Sequence, residues 1–235
     1  MTYFVAEIGV NWKVLDDIPV MIYQAQLAGA HAVKVQVFNE DTLKGKPHAD
    51  LLKKQILTEE DIKWLAGIAH HLGLNFIATP MYPGAVDICR GPVDTFKIRF
   101  ADRNNLELLK KVFEENKQVY ISCDEDYVEK MPMEVQAYKK RALLFCVPEY
   151  PPRQIRIPRH FRTMFDGFSS HYQNWLVPAT FAALGAGVIE CHVLSAELHP
   201  TTFLPDRSVS LTFQQFARMV YAVTKVKPLA LEGGP

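Results

Sequence analysis

Two periods of hydrophobic and polar positions alternate along the chain. Short β-rich apolar runs repeat with a period of two, and longer stretches carry apolar residues at helical spacing. The short runs predict strands at Tyr3–Ile8, Ala32–Phe38, Asn75–Thr79, Thr95–Ile98, Gln118–Ser122, Ala142–Val147, Gly167–Ser169 and Val188–His192. Between them lie amphipathic segments such as "PVMIYQAQLAGA", "TEEDIKWLAGIAHHLG", "NLELLKKVFEEN" and "LVPATFAALGAG", and the chain's last predicted helix is "SLTFQQFARMVYAVTKV". Thr58 followed by Glu59, Glu60 and Asp61 marks a helix start, because a side-chain oxygen meets free amides and acids sit at the positive dipole end. Gly73 and Gly185 stand where helix C-caps are needed.

Eight strand–helix units in 235 residues give about 29 residues per unit. Strands alternating with helices pair in parallel through right-handed crossovers. Eight such units predict an α/β fold, a single closed (β/α)8 TIM barrel that spans residues 1–235 as one domain. An open doubly wound sheet is the alternative. It wants a glycine-rich phosphate loop after the first strand, where "EIGVNWK" supplies only Gly9. The long polar loop "NEDTLKGKPHADLLKKQ" after the second strand is a candidate lid.

A barrel gathers its chemistry at the C-terminal strand ends. Read by parity, those ends carry Glu7, then Lys34 and Gln36, Lys97 and Arg99, Ser122, Ser169 and His171, and Glu190 and His192. Polar side chains from six strands, placed where a barrel interior otherwise holds Val, Ile and Leu, require partners or a ligand. His171 and His192 end consecutive strands, which lie roughly 5 Å apart in a sheet. Two imidazoles so placed suit one divalent cation (Mn, Fe, Co or Zn) in an open catalytic site. Histidines in barrels also act as proton shuttles or as hydrogen-bonded core residues. Lys34 and Lys97 offer cationic donors, and Ser122 and Ser169 offer hydroxyls, a set suited to phosphate or carboxylate.

Composition narrows the partners. The formal charge is zero, with 26 basic and 26 acidic residues, so no basic excess points to nucleic acid or an anionic membrane. No apolar run is long enough to span a bilayer, and the N-terminus does not read as a signal peptide. Cys89, Cys123, Cys146 and Cys191 form no paired motif and predict buried, reduced thiols in a cytoplasmic protein.

The markers "VAEIGVN", "AGAHAVKVQVF", "FIATPMYPGAVD", "FKI", "LLFCVPEYPP", "GFSSH", "ALGAGVIECHV" and "LPDRSVSLT" run in order through residues 3–224. In this the chain resembles the N-acetylneuraminate (sialic acid) synthase family. The resemblance implies a cytoplasmic transferase of carbohydrate biosynthesis that condenses phosphoenolpyruvate with an N-acylhexosamine-like aldose to give a nonulosonic-type sugar acid. It also implies a divalent metal, Mn2+ first, with Mg2+, Co2+ or Zn2+ as alternatives. By position, His171 and His192 match the metal ligands, and Lys34, Lys97, Ser122 and Ser169 match residues that hold phosphoenolpyruvate. Glu7, Tyr150 and Asp206 match residues that meet the sugar, and Asp102 stands in the place of an acid that handles the attacking water. Among these, Glu7, Asp102 and Asp206 are the expected catalytic groups, with Gln36, Arg99 and Tyr150 joining the substrate-binding set.

The chain departs from that pattern. "KIRFA" puts Arg99 and Phe100 where the family has a small residue and a phosphate-contacting serine, and "ISCDED" puts Cys123 and Asp124 beside Ser122. Pro148 replaces a polar residue, and "NWK" places Trp12 where it is expected to present a stacking surface to the acceptor. The chain stops at Pro235. The expectation is therefore that no antifreeze-like C-terminal domain follows, and that a homodimer or separate chain completes the site or the acceptor has changed.

Blander readings stand beside these. Tyr150 also reads as a packing aromatic in a proline-fixed turn, Asp206 as a partner of Arg207, and Glu190 as a group that orients a lysine or histidine. His31, His48, His70, His71, His160 and His199 read as surface or loop residues. Two other functions remain open: a catalytically degenerate barrel that binds a metal, ligand or partner, and a different metal- or Schiff-base-dependent aldolase or lyase using Lys97 or Lys34.

Overall fold

A computed structural model describes residues 1–225, so the expectation that one domain continues to Pro235, and the final Val226 of the last predicted helix, lie outside the described residues. Eight parallel strands form one sheet in sequence order: β1 Tyr3–Gly9, β2 Ala32–Val37, β3 Asn75–Pro80, β4 Thr95–Ile98, β5 Gln118–Cys123, β6 Arg141–Phe145, β7 Gly167–Ser170 and β8 Val188–Leu194. Pairing of β8 with β1, from Val188 opposite Tyr3 to His192 opposite Glu7, closes the barrel. The open-sheet alternative is thereby excluded.

Strand parity divides the strand residues into two sets. Phe4, Val33, Val35, Phe76, Phe96, Ile121, Phe145, Phe168 and Ile189 point outward and join the large cluster under the helices. Val5, Ala32, Ile77, Tyr120, Ala142, Leu144 and Val188 point inward and plug the lower barrel as a separate apolar layer. One residue further along that inward face of each strand begins the polar layer. Gly167 is required at the crowded waist, since a Cβ there would lie 2.3 Å from the Val188 carbonyl oxygen.

The helices follow the expected signals. Thr58 and Asp61 form a reciprocal capping box at the start of Glu59–His71, and Gly73 and Gly185 hold positive φ angles of +74° and +97° after their helices. Two details differ. Pro83–Cys89 forms a short helix that starts on proline, a residue preorganised for the first helical position. The last helix begins at Phe213, because Leu211–Thr212 instead forms a short strand β9 against β8. Thr212 and Gln215 then cap the helix reciprocally at 2.8 and 3.2 Å.

The polar loop after β2 folds into the short helices Glu40–Leu43 and Ala49–Lys53. Leu43 packs with Val10 and Phe38, and Gln55 donates to the Val10 carbonyl at 3.1 Å, so the segment is pinned to the loop after β1. Trp12 in that loop is not an acceptor surface. It is 3% exposed, donates to the Gly9 carbonyl at 3.0 Å and belongs to the core. His199 sits in a loop, as one of its two readings has it, but is buried there, 2.9 Å from Asp17. All four cysteines are buried and free. No helix among the described residues is long and apolar enough to cross a membrane.

Candidate active site

Above the apolar layer the same inward parity continues as Glu7, Lys34, Gln36, Thr79, Lys97, Ser122, Cys146, Ser169, His171, Glu190 and His192. All of these but Glu7 line one cavity of about 360 Å3 at the C-terminal mouth, joined by Met81, Arg99, Phe100, Ala101, Pro148, Tyr150 and Asp206.

The floor is a buried ionic network. Glu190 contacts the amine of Lys97, lies 3.6 Å from that of Lys34, and accepts from the Ser169 hydroxyl at 2.9 Å. Lys34 also meets Glu7 at 2.7 Å and donates to Thr79 at 3.0 Å. Two ammonium and two carboxylate groups thus match in charge. Burial acts to raise the Glu190 pKa, but the two lysines outweigh it and hold the group down at about 2. The lysines themselves diverge. Burial depresses Lys97 despite Glu190, whereas for Lys34 the two carboxylates outweigh burial and raise it.

The opposite side holds the imidazoles, with ring centroids 5.5 Å apart. His171 Nδ1 is 3.2 Å from the Val147 carbonyl oxygen, and His192 Nδ1 is 3.2 Å from Asp206 Oδ2. Burial together with the neighbouring His192 lowers His171 to about 3, so it is neutral near pH 7. Burial also acts to lower His192, but Asp206 outweighs it and the net shift is upward. Tyr150 places its hydroxyl 3.2 Å from His192 Nε2. The residue as a whole is 47% exposed, but its hydroxyl end is enclosed between the imidazoles; burial and Asp206 raise its pKa, so it remains a phenol.

This donor set fits a divalent cation. A carbonyl or carboxylate behind Nδ1 is the usual support of a metal-binding histidine and leaves Nε2 to face the ion. Among the described residues no cluster of three or more His, Cys, Asp or Glu is spaced to enclose an ion. The residues that would hold such an ion are the two imidazoles of His171 and His192. In the floor, the buried Glu190 Oε2 accepts no hydrogen bond among the described residues, which leaves it available for a further polar contact.

Of the residues expected from sequence, two stand apart from the cavity wall. Glu7 lies beneath it, bonded to Lys34 and accepting from Gln36 at 3.0 Å. Asp102 lies outside it in the turn after β4 and is bound to Arg99. Asp124 does not line the cavity: it caps Glu125–Glu129 through the Tyr127 amide at 3.0 Å and faces Arg103 at 3.9 Å. Cys123 points outward into the core. Thr79 and Cys146 were missed. Parity carries the signal for both, since Thr79 shares a face with Ile77 and Cys146 shares one with Leu144. Asp206 comes from the loop after β8, and the backbone of that loop is tied down by the buried chain from Asn11 to Ser210 at 2.7 Å and from Ser210 to the Asp206 carbonyl at 2.6 Å.

The family model described as "NeuB family" matches residues 21–233. The chain belongs to the NeuB family. It is 28% identical to N,N'-diacetyllegionaminic acid synthase of Legionella pneumophila, covering 94% of this chain and 71% of that one. It is 27% identical to mouse N-acetylneuraminate-9-phosphate synthase, over 96% of this chain and 70% of the relative. Its fold matches the sialic acid synthetase of Leptospira borgpetersenii, crystallised with citrate, at a TM-score of 0.86 and 23% identity, over 99% of this chain and 87% of that one. This NeuB-family chain is thus sialic-acid-synthase-like in sequence and barrel in fold.

Proposed function

We propose that the cavity condenses phosphoenolpyruvate with an aldose and one water: the donor's C3 bonds to the aldehyde carbon, water adds at its C2, and phosphate leaves from C2 to give a nonulosonic-type 2-keto sugar acid. The observation that carries this reading is the convergence of a two-lysine floor and a two-imidazole wall on one cavity in a NeuB-family barrel. Lys97, Lys34 and Ser169 hold the donor's carboxylate end against the floor, where hydrogen bonds to charged groups are strongest. His171 and His192 hold a divalent cation, which supplies Lewis-acid polarisation of a carbonyl oxygen when bound. Asp206 fixes the His192 ring, and the Tyr150 phenol offers a proton donor beside it. Gln36 and Asp206 face the acceptor across Gly9. A Cβ there would lie 2.9 Å from Asp206 Oδ2 and 3.1 Å from Gln36 Nε2, so glycine keeps this corner open.

Phosphate release from phosphoenolpyruvate with Mn2+ and a panel of N-acylated and unacylated aldoses tests the proposal. Release that depends on both the donor and one sugar supports it, and no release with any sugar counts against it. The depressed pKa of buried Lys97 favours a second reading, a Schiff-base aldolase. Borohydride trapping of a pyruvate adduct on Lys97 distinguishes that chemistry.

A further inference from the structure

We propose that the Arg99–Asp102 pair is a latch that reserves Arg99 for the donor's phosphate, Asp102 acting as its resting counter-ion. This inference rests on the phosphoenolpyruvate reading above.

Lys34 and Lys97 are already matched by Glu7 and Glu190 inside the floor, with side chains at most 5% exposed. His192 faces Asp206. A donor that brings a phosphate as well as a carboxylate therefore needs positive charge that the floor does not have in surplus. Arg99 lines the cavity, while its counter-ion lies off the cavity wall. Its guanidinium holds Asp102 through Nε and, at 3.4 Å, through Nη2. The two side chains are 37% and 15% exposed, so the pair sits at the rim and solvent reaches it. Rim ion pairs are weak, and a guanidinium exchanges one bidentate oxyanion for another at little cost.

The turn that carries the pair is held without it. Arg103 stacks over the Phe100 ring at 3.6 Å and donates to the Phe100 carbonyl at 2.6 Å. The Tyr127 hydroxyl donates to the Arg103 carbonyl at 2.8 Å. Arg99 can release Asp102 while Phe100 stays in place as the wall beside the phosphate. Asp102 is then a positioning residue, one that sets how much of the Arg99 charge the empty site withholds.

Calorimetric titration of the full chain with phosphoenolpyruvate and with pyruvate, in Mn2+, tests the latch. Arg99→Ala weakens phosphoenolpyruvate binding about tenfold or more, the scale of one charge-assisted hydrogen bond. Asp102→Asn tightens it roughly two- to fivefold, the worth of an exposed ion pair no longer to be broken. Pyruvate, which lacks the phosphate, binds all three proteins alike. Far-UV circular dichroism confirms that each variant is folded, and Arg99→Lys restores part of the affinity if Arg99→Ala perturbs the turn. Equal phosphoenolpyruvate affinity in wild type and both variants overturns the latch and leaves the donor reading standing. No phosphoenolpyruvate binding to wild type or Asp102→Asn overturns both.

Discussion

Lys97 of β4 and Glu190 of β8 meet across the barrel interior, 93 residues apart in sequence, both almost wholly buried. A charge pair in that position is a weak stabiliser in itself, because desolvation offsets most of the attraction. Its consequence is directional: it fixes a cation at the centre of the floor and makes either member costly to remove alone.

Removing only the carboxylate should be severe. Glu190→Ala leaves Lys97 buried without its nearest counter-ion and is expected to cost about 3–5 kcal/mol in urea unfolding, the range for half of a buried pair. The double variant Lys97→Met, Glu190→Leu should recover most of that loss while abolishing donor binding. Equal losses in the single and double variants would show that packing, and not charge, sets the cost.

Gly167 tests the waist of the barrel. A methyl at this position meets the Val188 carbonyl at 2.3 Å and a Leu144 methyl at 2.7 Å. Gly167→Ala should lose about 1–3 kcal/mol, the usual penalty for overpacking, seen as a lower melting temperature. An unchanged transition would place more space in the lower barrel than the packing allows.

Binding of Mn2+ followed by electron paramagnetic resonance isolates the imidazole pair from turnover. His171→Ala and His192→Ala should each weaken binding by at least tenfold, and Asp206→Asn by roughly ten- to a hundredfold, as a lost supporting contact behind a ligand does. Wild-type affinity in the double histidine variant would place the ion elsewhere.

Away from the cavity, Asp17 gives a pH prediction. Burial opposes its charge, but the amides of Lys13 and Val14 at 2.8 and 3.1 Å and the His199 ring at 2.9 Å overcome it and depress the folded pKa. A depressed carboxylate contributes stability that is present above its unfolded value, about 3.9, and is lost as pH falls through the lower folded value. Asp17→Asn should cost about 1–3 kcal/mol at neutral pH. It should also flatten the acid limb of stability below pH 4, measured by urea unfolding. An acid limb as steep as that of wild type would assign it to other groups.

The barrel was legible because each strand is buried on both faces, so inward and outward residues alternate without gaps, and because helices such as Leu106–Glu114 and Phe213–Lys225 are strongly amphipathic. The same alternation pointed to the cavity wall at Lys34, Lys97, Ser169, His171 and His192. Partner identities were legible only in kind: a lysine or histidine was expected beside Glu190, but not that both Lys97 and Lys34 would reach it. The Lys34–Glu7 contact depends on register between β1 and β2, and the Glu190 contacts depend on barrel closure. Loops carry no such periodicity. Trp12 therefore turned into the core, not toward the acceptor, and Asp102 turned to Arg99 within one short turn instead of reaching the cavity.

The proposed reaction joins phosphoenolpyruvate carbon to an aldose at this barrel mouth. Carbon NMR of the product from 13C-labelled phosphoenolpyruvate, Mn2+ and the accepted sugar tests it most directly. Label from the donor's C3 is expected bonded to the former aldehyde carbon of the sugar, with no such product formed by Lys97→Ala or His192→Ala. Label recovered only as phosphoenolpyruvate or free pyruvate, with every sugar tried, would contradict it.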